Sequence, residues 1–145
     1  MKAEEMWKKF LAEKNPEKAE NEAWAFGGAP DQLAELVLEG IKTGTSWAYV
    51  LYELGRENMP ETGDYSVILD SRNEAKCIIR TTGIYVVPFH KVSDTHAFRE
   101  GEGDKSLDTW RRIHKKFFSD CLAEVGMEFD EKMKVVCEEF EVVFR

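Results

Sequence analysis

An α+β domain is predicted by three features of this sequence. Amphipathic helical stripes occur at residues 2–14, 30–38 and 107–125. Strand-like alternation occurs at 65–69, 75–89 and 134–144, and the second of these is apolar on both phases. A strand apolar on both phases must be covered on both faces, as in a barrel or a sheet flanked by helices. At 145 residues the chain reads as a single domain, 1–145, long enough to bury a proper core.

Composition narrows the function classes. With 28 acidic against 20 basic residues the net charge is −8, which opposes a long phosphate polymer, so duplex DNA is not an expected partner. No apolar run approaches the ~20 residues of a membrane span, and Met1-Lys2-Ala3-Glu4-Glu5 lacks the apolar centre of a signal peptide. Cys77, Cys121 and Cys137 are an odd set without a close pair, which points to buried thiols in a reducing, cytoplasmic compartment.

The first helix carries Met6, Trp7, Phe10 and Leu11 on one side, and Asn15-Pro16 ends it, so residues 1–20 read as an N-terminal helix docked on the domain. Trp24-Ala25-Phe26-Gly27-Gly28 reads as an aromatic-glycine loop, able to plug a core edge or to stack on a base. Pro30 and Asp31 begin the second helix, Leu33, Leu36, Val37 and Leu38 give its stripe, and Gly40 suits its left-handed cap. Trp47–Glu57 fits a helix by spacing but opens with strand-forming residues. Tyr65–Leu69 and Ala75–Phe89 read as strands joined by a turn at Asp70–Glu74, with a bulge or bend at Gly83. Leu107–Val125 is the clearest helix: Leu107, Trp110, Ile113, His114, Phe117, Phe118, Cys121, Leu122 and Val125 share its apolar face, while Arg111, Arg112, Lys115 and Lys116 fall outside it as a basic one. Lys134–Phe144 is the last strand.

Polar chemistry concentrates in two places. Lys42, Thr43, Thr45 and Ser46 follow the second helix, where a lysine can cap the helix, grip an anion or activate a hydroxyl. A phosphate-binding loop is excluded, because that motif precedes its helix and its glycine spacing differs. The second place is the loop Phe98-Arg99-Glu100-Gly101-Glu102-Gly103-Asp104-Lys105-Ser106, with its acids at Glu100, Glu102 and Asp104. An EF-hand is excluded there, since Lys105 and Arg111 stand where glycine and a bidentate glutamate are required, although a looser Mg²⁺ or Mn²⁺ site is not. His90, His96 and His114 have no metal-ligand spacing. Arg80, among apolar neighbours, needs an anion, and Glu138, interrupting an apolar phase, needs a partner or a polar pocket; pairing the two is the economical structural answer.

These residues resemble a known family. Trp24-Ala25-Phe26-Gly27, Leu33 through Ser46, Cys77-Ile78-Ile79-Arg80-Thr81-Thr82, Val87-Pro88-Phe89, Glu100-Gly101-Glu102-Gly103-Asp104, Trp110-Arg111, His114 and Val136-Cys137-Glu138 look like the signature of ASCH domains, from about residue 20 to the carboxyl end. The resemblance implies a PUA-like β-barrel of mixed, mostly antiparallel strands flanked by several α-helices, with a cleft facing Lys42–Ser46. It implies binding of single-stranded RNA or a small nucleotide-like ligand. Trp24, Phe26, Thr43, Ser46, Arg80, Arg111 and Glu138 are then the ligand-binding set. Two hydrolytic activities occur among relatives. One is metal-dependent cleavage of single-stranded RNA, for which Glu100, Glu102 and Asp104 are the residues that would hold Mn²⁺ or Mg²⁺. The other is amide hydrolysis of N4-acetylcytidine-type nucleosides by a Lys-x-x-Thr segment with a downstream glutamate, here Lys42, Thr45 and Glu102, with Glu100 as the alternative. The residues leave open whether the chain is a binding module or a hydrolase.

Overall fold

Segments rich in β-branched and aromatic residues form one sheet in the computed structural model, which describes residues 1–55 and 57–145. Its strands are β1 (Glu22–Ala25), β2 (Gly44–Ala48), β3 (Tyr65–Leu69), β4 (Ala75–Pro88) and β5 (Lys134–Phe144). Their order is β1-β3-β4-β5-β2; β1 lies parallel to β3, and the other pairings are antiparallel. The sheet is mixed, and β1 and β2 are its two edges. The register slips between Thr81 and Gly83, where the sheet bends as the glycine predicts.

Five α-helices cover the sheet: α1 (Ala3–Lys14), α2 (Pro30–Leu38), α3 (Tyr49–Glu53), α4 (Asp94–Glu100) and α5 (Leu107–Ala123). Helix α1 buries Met6, Trp7 and Phe10 against Tyr65, Val67 and Ile78. Helix α2 places Leu33, Ala34 and Val37 against Ile68, Cys77, Ile79 and Phe140. The largest core lies between α4, α5 and the sheet, where Ala97, Trp110, Phe118 and Leu122 meet Ala48, Val135 and Cys137. Each apolar strand phase therefore has its own cover, which is why β4 is apolar on both.

The ambiguous stretch from Trp47 to Glu57 resolves by position: β2 continues to Ala48, α3 follows from Tyr49, and the remainder crosses Arg56, which lies outside the described residues. Two elements depart from the sequence reading. The Trp24–Phe26 loop begins as edge strand β1, whose four residues are too few to show a period. Helix α4 takes in Phe98–Glu100, the expected start of the acidic loop; Ser93 accepts a hydrogen bond from the His96 amide at its start, and Gly101, at φ 71°, closes it. No helix among the described residues is long and apolar enough to cross a membrane.

Candidate functional site

Both edge strands contribute to one cavity of about 1740 Å³. Trp24 and Phe26 stand on the β1 side, Thr45, Ser46 and Trp47 on the β2 side, and Phe117 and His114 of α5 close it. Gly27 lets the α5 wall come close, since a Cβ there would meet Phe117 Cζ at 2.7 Å. The aromatic rings provide flat apolar surface, and the floor is polar.

That floor is a buried ion network centred on Glu100, which is 1% exposed. Helix α4 ends at this residue, and the i,i+4 spacing puts His96 on the same helical face, so its Nε2 donates to Glu100 Oε2 at 2.8 Å. Ser46 Oγ and Trp110 Nε1 donate to the same oxygen at 2.7 and 2.5 Å. The other oxygen, Oε1, lies 3.3 Å from Lys42 Nζ and 3.3 Å from His114 Nε2. Lys42, 2% exposed, also lies 3.6 Å from Glu102 Oε2 and 5.2 Å from the Phe26 ring centroid. His114 stacks on Trp110, with ring centroids 4.3 Å apart.

The charges follow from these contacts. Burial alone would raise the Glu100 carboxyl, but the His114 and Lys42 charges, with hydrogen bonds from His114 and His96, hold it well below the ordinary carboxylate range. Burial likewise pushes His114 down, and the Glu100 charge and hydrogen bond, the Glu102 charge and the Trp110 carbonyl outweigh it and raise it. Glu100 is thus a carboxylate held between cations.

Glu138 has the opposite environment. It faces the cavity from β5, opposite Thr45 on β2 and Ile84 on β4. Burial, then the charges of Asp64, Glu22 and Glu57, pushes its carboxyl up to about 7. Among the described residues it has no hydrogen-bond or ion-pair partner.

Glu100, Glu102 and His114 bring three ligand-type atoms within 4.8 Å of one another, so a divalent metal must be tested against them. They do not fit one. The Lys42 ammonium already stands between the two carboxylates, the Glu100 charge raises His114 and so favours its protonated form, and the second Glu100 oxygen is taken by three donors. A metal would have to displace one cation and deprotonate another.

The match to a family model decides the relationship: the model of the ASCH domain matches residues 22–144. The chain belongs to the ASCH domain family. Among solved structures it is similar to the ASCH domain from Lactobacillus crispatus JV V101, with TM-score 0.93 and 31% identity over 98% of this chain and 94% of that one. It is also similar to a protein from Enterococcus faecalis V583, with TM-score 0.86 and 33% identity over 97% of this chain and 87% of that one. Among curated proteins none matches. The curled five-stranded sheet with five helices is therefore the α+β, PUA-like half-barrel of ASCH domains.

Of the residues picked from the ASCH signature, Lys42, Thr45, Ser46, Glu100, Glu102, Trp24, Phe26 and Glu138 line the cavity together. Thr43, Arg80, Arg111 and Asp104 do not. The Thr43 backbone is spent on Arg99 and Phe140. The expected Arg80–Glu138 pair does not form, because the bulge shifts the register and sets Arg80 opposite Glu141; its neighbour Thr81 reaches the cavity instead. Arg111 turns to the His90 carbonyl at 3.1 Å, while Arg112 and Lys116, one residue and five residues on, border the cavity. Asp104 accepts from the Ser106 amide at 2.9 Å in the turn before α5. His96 and Trp110 were missed as parts of the network. The available signals were the His96–Glu100 spacing and an indole N–H on a buried helix face.

Gly101 joins the two glutamates and has no freedom to change. Its φ is 71°, and an added Cβ would meet the Ile41 carbonyl oxygen at 2.6 Å. Gly101→Ala is expected to lose more than the roughly 1–2 kcal/mol of a left-handed backbone alone. Gly126→Ala, at φ 73° with nothing within 4 Å, isolates that backbone cost, and urea midpoints of the two variants measure the difference.

Proposed function

We propose that this ASCH domain binds one nucleoside-like unit, free or at the exposed end or loop of a single-stranded RNA, with its base against the aromatic walls and its sugar side toward Lys42. The observation that carries this reading is the joining, in one cavity, of Trp24, Phe26 and Trp47 with the Lys42–Glu100–Glu102 floor. Flat rings stack on aromatic faces whatever the base, and the fixed polar groups orient what is stacked. A single unit suits a chain of net charge −8 better than a long polyanion does. The free thiols of Cys77, Cys121 and Cys137 suit a reducing, cytoplasmic setting.

A second reading, hydrolysis of an acylated amino base, is favoured over metal-dependent RNA cleavage by the ammonium in the metal's place and by Thr45 in the same cavity. In it Thr45 Oγ attacks the acyl carbon, and its proton passes by way of Lys42 or Glu102 to the departing amine. Water then splits the threonine ester and releases the carboxylic acid.

A thermal-shift panel separates these readings. Nucleosides, N4-acetylcytidine and short single-stranded RNA, each with and without Mn²⁺, are titrated into the wild type and Lys42→Ala. A nucleoside arm should raise the wild-type midpoint by RT ln(1 + [L]/Kd) and leave Lys42→Ala unmoved. A flat wild-type panel would overturn the binding reading. Acetate released from N4-acetylcytidine by the wild type but not by Thr45→Ala would establish the hydrolytic one.

A further inference from the structure

Glu138 plays no part in the Lys42–Glu100 network and is left over by any account centred on it. Its strand, β5, lies between β4 and β2, so the side chain projects from the interior of the sheet, not from its rim. Thr45 stands directly opposite on β2. Tyr52 of α3 is close enough that burial and then the Glu138 charge push its phenol up. Among the described residues, the other ionisable groups whose charge reaches it are Asp64 before β3, Glu22 on β1 and Glu57 after α3, all acids. A carboxyl with acidic neighbours and no cationic or hydrogen-bonding partner among the described residues leaves its hydrogen-bonding capacity open to whatever fills the cavity.

We infer that Glu138 is the residue that reads the edge of the bound base, accepting any donor–acceptor edge as an acid and selecting the guanine-type edge as a carboxylate. The inference rests on the nucleoside reading above and gives it a specificity. A carboxylic acid offers one donor beside one acceptor; a carboxylate offers two acceptors. The first complements any edge that sets an acceptor beside a donor, which all four bases offer: a ring nitrogen and an amine in cytosine and adenine, a carbonyl and a ring N–H in guanine and uracil. The second complements two adjacent N–H donors, the edge of guanine-type bases. Uracil-type edges offer a donor flanked by acceptors and leave the carboxylate a repulsive contact. Each mismatch leaves a buried polar group unpaired, which is how a site discriminates strongly. The cavity passes from accepting all four bases to selecting the guanine type as Glu138 loses its proton, and with its carboxyl at about 7 that change falls near neutral pH.

Isothermal titration of cytidine, adenosine, guanosine and uridine into the wild type, Glu138→Gln and Glu138→Ala, at about pH 6 and about pH 8.5, tests this. In the wild type, cytidine, adenosine and uridine should weaken by roughly tenfold from the lower to the higher pH, while guanosine tightens. Glu138→Gln, whose amide keeps one donor beside one acceptor, should bind cytidine with no such pH dependence and lose the guanosine gain. Glu138→Ala should lose discrimination among the four. Nucleosides that bind the wild type with no pH-dependent gain of guanosine over the other three would overturn the inference and leave the nucleoside reading standing. Absence of binding by all four at either pH overturns both. If Glu138→Ala does not fold, the wild-type pH profile and the nearly isosteric Glu138→Gln still decide the matter.

Discussion

Glu100→Gln is expected to cost about 3–5 kcal/mol of folding stability at neutral pH, far more than its small change of shape would suggest. The wild-type carboxylate accepts from Ser46, His96 and Trp110 and faces the Lys42 and His114 cations at 3.3 Å each, all with almost no water. Glutamine removes the charge that balances those cations. Its NH₂ must also turn toward other donors or toward Lys42, so at least one group is left unpaired. Glu102, 19% exposed and 3.6 Å from Lys42, screens only part of the loss. Urea unfolding of both proteins measures the difference, and a change below about 1 kcal/mol would show that Glu102 carries the network instead. Because Lys42 is held by Glu100, the same variant should weaken any ligand bound through Lys42. A ligand-free stability measurement is therefore needed beside each binding measurement.

How far this network could be read from the sequence depended on whether its members were local. Gly40 and the Lys42–Ser46 segment could be read because a helix cap and a polar run are both local signals, and β5 because its alternation is long. Helix α4 could not, since Asp94–Glu100 spans seven residues with only Ala97 and Phe98 as apolar cues. Missing it hid the fact that His96 and Glu100 share a face, and Glu100 was weighed as a loop acid when it is the most enclosed acid of the site. The Arg80–Glu138 expectation failed for a related reason. Strand phase was counted correctly along each strand, but a bulge at Thr81/Gly83 is invisible to phase counting and decides which residues face each other. The family signature supplied residue types for the cavity but could not say that Lys42 would be flanked by two carboxylates.

Stability as a function of pH should show three contributions from side chains of the same cavity, two from acids shifted in opposite directions and one from a histidine. Glu100, held well below its ordinary value, contributes stability that is present above the unfolded carboxyl value of about 4.3 and is lost as pH falls through its folded value. His114, raised in the folded state, contributes stability fully present below the unfolded value of about 6.5 and lost as pH rises through its folded value. Glu138 is raised from 4.5 to about 7, so the folded protein keeps its proton where the unfolded chain does not. Its contribution is present below the unfolded value and is lost between those two pH values. Glu138→Gln should therefore match the wild type at about pH 4 and exceed it by about 1–2 kcal/mol at about pH 8, after discounting for its partial exposure. His114→Gln should lack the wild-type decline on the alkaline side. Urea midpoints of the three proteins across this range give the answer, and a Glu138→Gln variant less stable than wild type at about pH 8 would mean that Glu138 has a stabilising partner and is not open to a ligand. A carboxyl that weakens the ligand-free fold at neutral pH is compensated only when something binds it. Glu100, satisfied by five side chains, needs no ligand, and Glu138, satisfied by none among the described residues, is the group in this cavity with the most to gain from one.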